Sequence, residues 1–150
     1  DFALNDLVLI TPAGGTLTGP DKLTGSDVKH IAIGTPESVP AGRYAREALT
    51  TAGTWDALQS KFVFGNNVRQ VLSYIQRGEA DAGFVYRTDA LAGGKDVRIV
   101  TAMTGHKPVC YPIAVTKDSA EKQMAQKFVD FVLSARGLEI LADHGFSPVK

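Results

Sequence analysis

Short apolar runs alternate with helical patterns along most of the chain. Apolar runs that lack apolar–polar alternation are typical of strands buried on both faces of a parallel or mixed sheet. Six such runs predict strands: Leu7–Ile10, His30–Ile33, Phe62–Phe64, Ala82–Tyr86, Val97–Val100 and Val109–Val115. Because helices must cover both faces of a sheet of this kind, the pattern indicates the α/β class.

Two segments between these strands have the spacing of amphipathic helices, Ala41–Ala52 and Val68–Gln76. Apolar residues that recur three and four positions apart fall on one helical face. They are Tyr44, Ala45, Ala48, Leu49 and Ala52 in the first segment, and Val68, Val71, Leu72 and Ile75 in the second. The order of strand, helix and strand is that of βαβ units.

The C-terminal part predicts one long helix over Ser119–Ala142, broken near Gly137. Asp118 or Ser119 would cap its first turn. Glu121 places a negative charge in that turn, where the helix dipole favours one. The tail is therefore expected to be helical up to the region of Gly137 and again after it.

Composition narrows the class of partner. The 150 residues are 44% hydrophobic, which suits one domain with a substantial core, and the formal net charge is zero. Scattered Lys and Arg in a neutral chain provide no field for nucleic acid. No apolar run approaches the roughly 18 residues that would cross a bilayer. A small ligand is the expected partner, and nucleic acid is not.

Candidate catalytic and metal-binding residues are few. The single cysteine, Cys110, could act with His106 or His144, but it lies in an apolar strand run where a cysteine is expected to pack as a small hydrophobe. The three histidines have no metal-ligand spacing. The Gly-rich segment Thr11–Gly25 contains neither nucleotide-binding glycine motif and predicts a surface loop. We therefore expect neither an enzyme nor a bound cofactor.

Two helix starts that follow strands have small or amide side chains at their first positions. A helix N-terminus offers unpaired N–H groups and a partial positive charge, so it can hold an anion without a cationic side chain. Ala41 and Gly42 would let an oxyanion approach the first of these helices. An ordinary helix start covered by a loop or by water is the alternative at both places, and Asn66 would cap the second helix, which begins at Val68.

A tyrosine ends a third predicted strand. Tyr86 lies where the chain leaves the carboxyl end of that strand, and ligands of open α/β sheets bind at this edge. The alternative is a rim residue with an apolar ring and a wet hydroxyl. Arg43 and Arg69 follow the two helix starts closely and are expected to be solvated surface charges.

Three stretches resemble the periplasmic molybdate-binding protein of bacterial ABC-type molybdate importers: GTPESVPAGRYAREAL, NNVRQVLSYIQRGEADAGFVYRTDA and AQKFVDFVLSARGLEILADHGFSPVK. The resemblance implies a three-layer αβα lobe of a type II periplasmic binding fold, with a mixed, mostly parallel sheet and C-terminal helices. It also implies that molybdate or tungstate is bound by the N–H groups of Ala41 and Val68 and the hydroxyl of Tyr86, without a metal ion or cofactor. A periplasmic location and a membrane permease as partner follow from the same resemblance.

The resemblance also predicts the domain organisation. Residues 7–105 would form the second, ligand-binding lobe, and residues 106–150 a return strand and helices that pack on the first lobe. A first-lobe segment that completes the oxyanion cage has no counterpart here, so we expect about half a cage and weak binding. The apolar face of Met124, Phe128, Phe131 and Val132 would lack a cover, which predicts self-association or swapping unless another chain supplies one.

Two further functions stay open at the level of sequence. A site made only of N–H and O–H donors favours a fully ionised dianion over hydrogen phosphate, whose proton needs an acceptor. Sulfate is also fully ionised, so a protein for a sulfate-like oxyanion is one alternative. The effector-binding domain of a transcription regulator, which shares the two-lobe fold, is the other.

Overall fold

The computed structural model describes residues 1–149, which divide into two compact units. One unit is Asp6–Lys107, and the other joins Asp1–Asn5 to the segment that begins at Pro108. The strands are β1 (Ala3–Asn5), β2 (Leu7–Pro12), β3 (Ile31–Gly34), β4 (Phe62–Gly65), β5 (Ala82–Tyr86), β6 (Val97–Ala102) and β7 (Val109–Tyr111). The helices are α1 (Pro40–Thr51), α2 (Trp55–Leu58), α3 (Val68–Gln76), α4 (Arg87–Ala92), α5 (Lys122–Leu133) and α6 (Ala135–Asp143).

A five-stranded mixed sheet in the order β4-β3-β5-β2-β6 runs through the unit Asp6–Lys107. β3 is parallel to both β4 and β5, whereas β2 is antiparallel to both β5 and β6. Because β2 reverses direction against both of its neighbours, the other four strands point the same way. The predicted mixed, mostly parallel sheet is confirmed.

Helices cover both faces of this sheet, as the three-layer αβα prediction requires. Leu7 and Leu9 of β2 belong to a core cluster that includes α1 residues, while Val8 and Ile10 belong to a second cluster with α3 residues. Successive strand residues point to opposite faces, so α1 and α3 lie on opposite sides of the sheet. The inner strands are buried along nearly their whole length, and the edge strands β4 and β6 are partly exposed.

Most predicted elements are confirmed, and the differences have local causes. β7 ends at Tyr111 instead of reaching Val115, and Pro112 follows it without an N–H to donate to a partner strand. β7 pairs with β1, a strand of three residues that the pattern did not predict. The short helices α2 and α4 were also missed, because four and six residues are too few for a helical period to be recognised.

The break in the C-terminal helical region lies at Ser134, three residues before the predicted position. The Ser134 hydroxyl oxygen accepts a hydrogen bond from the N–H of Gly137 at 3.2 Å, so Ser134 caps α6. Gly137 lies inside α6, where a Cβ atom would be 2.3 Å from the carbonyl oxygen of Phe131. The predicted caps at Asp118 and Ser119 are wrong, since α5 begins only at Lys122.

Removing the Ser134 cap tests this boundary. We expect Ser134→Ala to lower the free energy of unfolding by about 1 kcal/mol, because the Gly137 N–H loses its acceptor. Urea denaturation would measure the change, with Ser26→Ala as control because Ser26 is exposed outside any helix. Equal effects of the two substitutions would contradict the assignment of Ser134 as a cap.

One face of α5 is apolar and exposed. Met124 is 63% exposed and Phe128 62%, and Phe131 is also exposed, whereas Val132 is half-buried. The exposure predicted for this face is confirmed for the first three residues. Self-association or swapping through the face stays a prediction.

Candidate functional site

The three predicted site residues lie along one edge of the sheet. β4, β3 and β5 are neighbours that run in the same direction, so their carboxyl ends share an edge. Each of these strands is followed by a helix, and Ala41, Val68 and Tyr86 lie where those helices begin. Val68 and Tyr86 both pack against the core cluster that contains Ala41. The fold therefore brings all three residues to the edge where α/β sheets bind ligands.

The first turn of α1 presses directly against the end of β3. A Cβ atom on Gly42 would lie 1.9 Å from the carbonyl oxygen of Gly34, so no other residue fits at this position without movement. Within residues 1–149, the backbone hydrogen bonds of α1 start at Arg43, whose N–H donates to the carbonyl oxygen of Val39 at 3.1 Å. Ala41 is only 1% exposed, so an anion at this helix start would meet a small part of its surface.

The first turn of α3 is capped by Asn67, and the prediction that Asn66 caps it is wrong. The Asn67 side chain accepts from the N–H of Gln70 at 2.9 Å, and the Gln70 side chain accepts from the N–H of Asn66 at 2.7 Å. The Asn67 contact uses the third N–H of the helix, whereas the first, that of Val68, has no partner within the helix. The end of β4 is tied to that of β3, because Gly65 O accepts from the Thr35 N–H at 3.0 Å.

Tyr86 is half-buried, and its backbone is fixed from several sides. It pairs with Leu7 across β2 and β5. Its N–H donates to the Asp89 carboxylate at 3.2 Å, which closes the first turn of α4. The next N–H, that of Arg87, donates to Asp6 O at 2.8 Å, and the Arg87 and Asp6 side chains form an ion pair at 3.8 Å.

Asp89 is a residue of this edge that sequence reasoning missed. Burial raises the pKa of its carboxyl group, while the Tyr86 N–H and the charge of Arg69 act in the opposite direction. The spacing of Tyr86 and Asp89 is that of a capping box, and this signal could have identified Asp89. Arg43 and Arg69 are exposed, as predicted.

The catalytic alternative gains no support from the geometry. Cys110 is exposed, so the prediction that it packs as a small hydrophobe is wrong. Its strand, β7, belongs to a two-stranded pair and not to the buried five-stranded sheet. The His106 ring nitrogens lie 2.7 Å from Lys107 O and 3.2 Å from Met103 O, and His144 Nδ1 lies 2.9 Å from Ile140 O. Within residues 1–149, no three His, Cys, Asp or Glu side chains gather to hold a metal ion, and no helix is long and apolar enough to span a bilayer.

Known proteins resemble this chain over nearly its full length. Residues 1–147 match the sequence profile of the family described as bacterial extracellular solute-binding protein. A proposed ABC transporter substrate-binding lipoprotein of Bacillus subtilis is 39% identical over 95% of the chain, and the molybdate-binding protein of Haemophilus influenzae is 36% identical over 95%. The solved substrate-binding domain of a proposed molybdenum ABC transporter from Clostridium difficile is 41% identical, with a TM-score of 0.91 over 100% of the chain. The chain spans 55%, 58% and 66% of these three proteins, respectively.

Proposed function

This chain belongs to the bacterial extracellular solute-binding protein family, and we propose that it binds a tetrahedral oxyanion of the molybdate or tungstate type. One observation carries the proposal: the starts of α1 and α3 and the end of β5 share one edge of the sheet, with Ala41, Val68 and Tyr86 at those positions. The relatives from Haemophilus influenzae and Clostridium difficile, named for molybdate or molybdenum, support this class of ligand.

The binding chemistry uses hydrogen-bond donors. The N–H groups of Ala41 and Val68 and the hydroxyl of Tyr86 hold the oxygen atoms of the anion, so molybdenum is bound as molybdate and not as a metal ion. Such a site selects a fully ionised dianion over hydrogen phosphate, whose proton would lack an acceptor. No catalytic step and no cofactor are needed for this function.

The biological role follows from the family. We propose that the protein acts in the periplasm and delivers its oxyanion to the membrane permease of an ABC importer. Residues 7–105 are proposed to form the ligand-binding lobe, and the C-terminal helices to pack on a further lobe. Delivery and location rest on kinship alone, whereas the oxyanion site can be tested directly on this chain.

An NMR titration of the amide groups tests the proposed site. We expect molybdate and tungstate, added at neutral pH, to shift the amide proton resonances of Ala41 and Val68 in a saturable way. The affinity should be weak, because donors on one side of an anion compete with water at high dielectric. The amide of Gly14, in the loop that follows β2 at the opposite edge of the sheet, is the internal control.

Sulfate and phosphate provide the comparison that decides the ligand class. Saturable amide shifts with molybdate and tungstate but not with phosphate support a donor-only site. Saturation by sulfate as strongly as by molybdate would change the assignment to a sulfate-like oxyanion. If none of the four anions shifts either amide, the oxyanion function is wrong.

A further inference from the structure

A half-buried carboxylate lies beside the proposed donors, although a dianion is repelled by negative charge. Asp89 is the third residue of α4, and its carboxylate accepts the Tyr86 N–H at 3.2 Å. A donor-only site for a dianion therefore needs an explanation for this charge. The explanation has to account for both the position of the Asp89 carboxylate and the charges on the elements around it.

The position is set by the turn from β5 into α4. Tyr86 is the last residue of β5 and the first flanking residue of α4, so the chain changes direction at the residue proposed to contact the anion. The bond from the Tyr86 N–H to Asp89 closes that turn. Because the Tyr86 hydroxyl is several bonds from the backbone, a small rotation of the backbone at this turn would displace the hydroxyl by a larger distance.

A positive charge lies on the neighbouring helix. α3 packs against α4, with the Cδ1 atom of Leu72 3.1 Å from the place that a Cβ atom on Gly93 would occupy. Arg69 lies in the first turn of α3, directly after Val68, and its positive charge acts against burial by lowering the pKa of the Asp89 carboxyl group. Arg87, on α4 itself, is paired with Asp6. Arg69 is thus a cation on the helix that packs against α4, one residue after the proposed Val68 donor.

We propose that Asp89 and Arg69 act together as positioning residues of the oxyanion site, Asp89 by fixing Tyr86 and Arg69 by offsetting the charge of Asp89. This inference rests on the proposed function. It predicts that the two roles of Asp89, as acceptor and as charge, can be separated by substitution.

Three variants separate these roles, with the tungstate Kd from NMR titration at neutral pH as the readout. Asp89→Asn keeps an acceptor for the Tyr86 N–H and removes the charge, so the affinity should rise about threefold or more. Arg69→Gln leaves the charge of Asp89 without its counterpart, so the affinity should fall about tenfold. The double variant Arg69→Gln with Asp89→Asn should return to within about threefold of the parent.

Two controls exclude a general effect of charge or of folding. Arg77→Gln changes the net charge equally at the other end of α3, where Arg77 pairs with Glu79 at 3.8 Å, and should leave the Kd within about twofold. Asp89→Ala removes both roles and should bind more weakly than Asp89→Asn. If Asp89→Ala does not fold, the Asn and double variants still carry the test, since both keep the acceptor.

The outcomes distinguish failure of this inference from failure of the proposed function. A parent chain that binds no oxyanion overturns the function and with it the site. A parent that binds, with an Arg69→Gln loss that Asp89→Asn does not rescue, overturns the charge pairing alone. An affinity that falls equally in Asp89→Asn and Asp89→Ala overturns it as well, because removal of the charge would then bring no gain.

Discussion

The Gly42→Ala variant is expected to lose about 3 kcal/mol or more of its free energy of unfolding, and with it any measurable oxyanion binding. The added Cβ atom would lie 1.9 Å from the carbonyl oxygen of Gly34 and 2.5 Å from its carbonyl carbon. Both atoms are backbone, so no side chain can turn aside to make room. Either α1 moves away from β3 or the end of β3 is displaced.

Urea denaturation and the NMR titration would measure the two losses separately. Gly14→Ala is the matched control, because a Cβ atom there meets nothing within 4 Å. A loss below about 1 kcal/mol for Gly42→Ala would show that the backbone of Gly34 does not lie close enough to Gly42 to exclude a methyl group. Normal stability with lost binding would show instead that small shifts of the α1 start are enough to remove the Ala41 donor.

The sequence predicted the central elements well because each carries its own strong signal. α3 spans the predicted residues, and α1 begins one residue before the predicted start, at Pro40. Proline suits the first position of a helix, since its missing N–H would have no partner there. The inner strands were recognisable because they are buried on both faces, which removes any alternation from their sequence.

The wrong predictions for Gly137 and Cys110 concern residue types that occur in more than one structural setting. Glycine often ends a helix, but Gly137 lies within α6, where the carbonyl groups of Phe131 and Val132 leave no room for a side chain. Ser134 gave the true signal as a cap residue directly before the second helix. The apolar neighbours of Cys110 in sequence favour a buried position, but β7 belongs to a two-stranded pair and Cys110 is exposed.

The candidate site was predictable only in part. Parallel strand ends share an edge, so the sequence could place Ala41, Val68 and Tyr86 together once the strands were known. The lowering of the Asp89 pKa by the charge of Arg69 depends on the packing of α3 against α4, and no local sequence pattern encodes that packing. The burial of Ala41 is likewise a tertiary property, because it depends on how closely α1 meets β3.

Replacing Tyr86 by phenylalanine should weaken oxyanion binding about ten- to a hundredfold. The substitution keeps the ring that packs against the core and removes the hydroxyl proposed to donate to the anion. A hydrogen bond to a charged group contributes roughly 1.5–3 kcal/mol, which corresponds to that range of affinity. The effect should be similar for molybdate and tungstate, since both present the same kind of oxygen acceptor.

The same substitution at Tyr74 provides the control. Tyr74 is half-buried on α3 and packs against the core cluster on the other face of the sheet, so Tyr74→Phe should leave the Kd unchanged. Thermal unfolding of both variants separates a lost contact to the anion from a lost contact within the protein. If Tyr86→Phe binds molybdate as tightly as the parent, the hydroxyl does not touch the ligand. The anion would then be held by the α1 and α3 starts alone, and the role of Asp89 in fixing Tyr86 would have no consequence for binding.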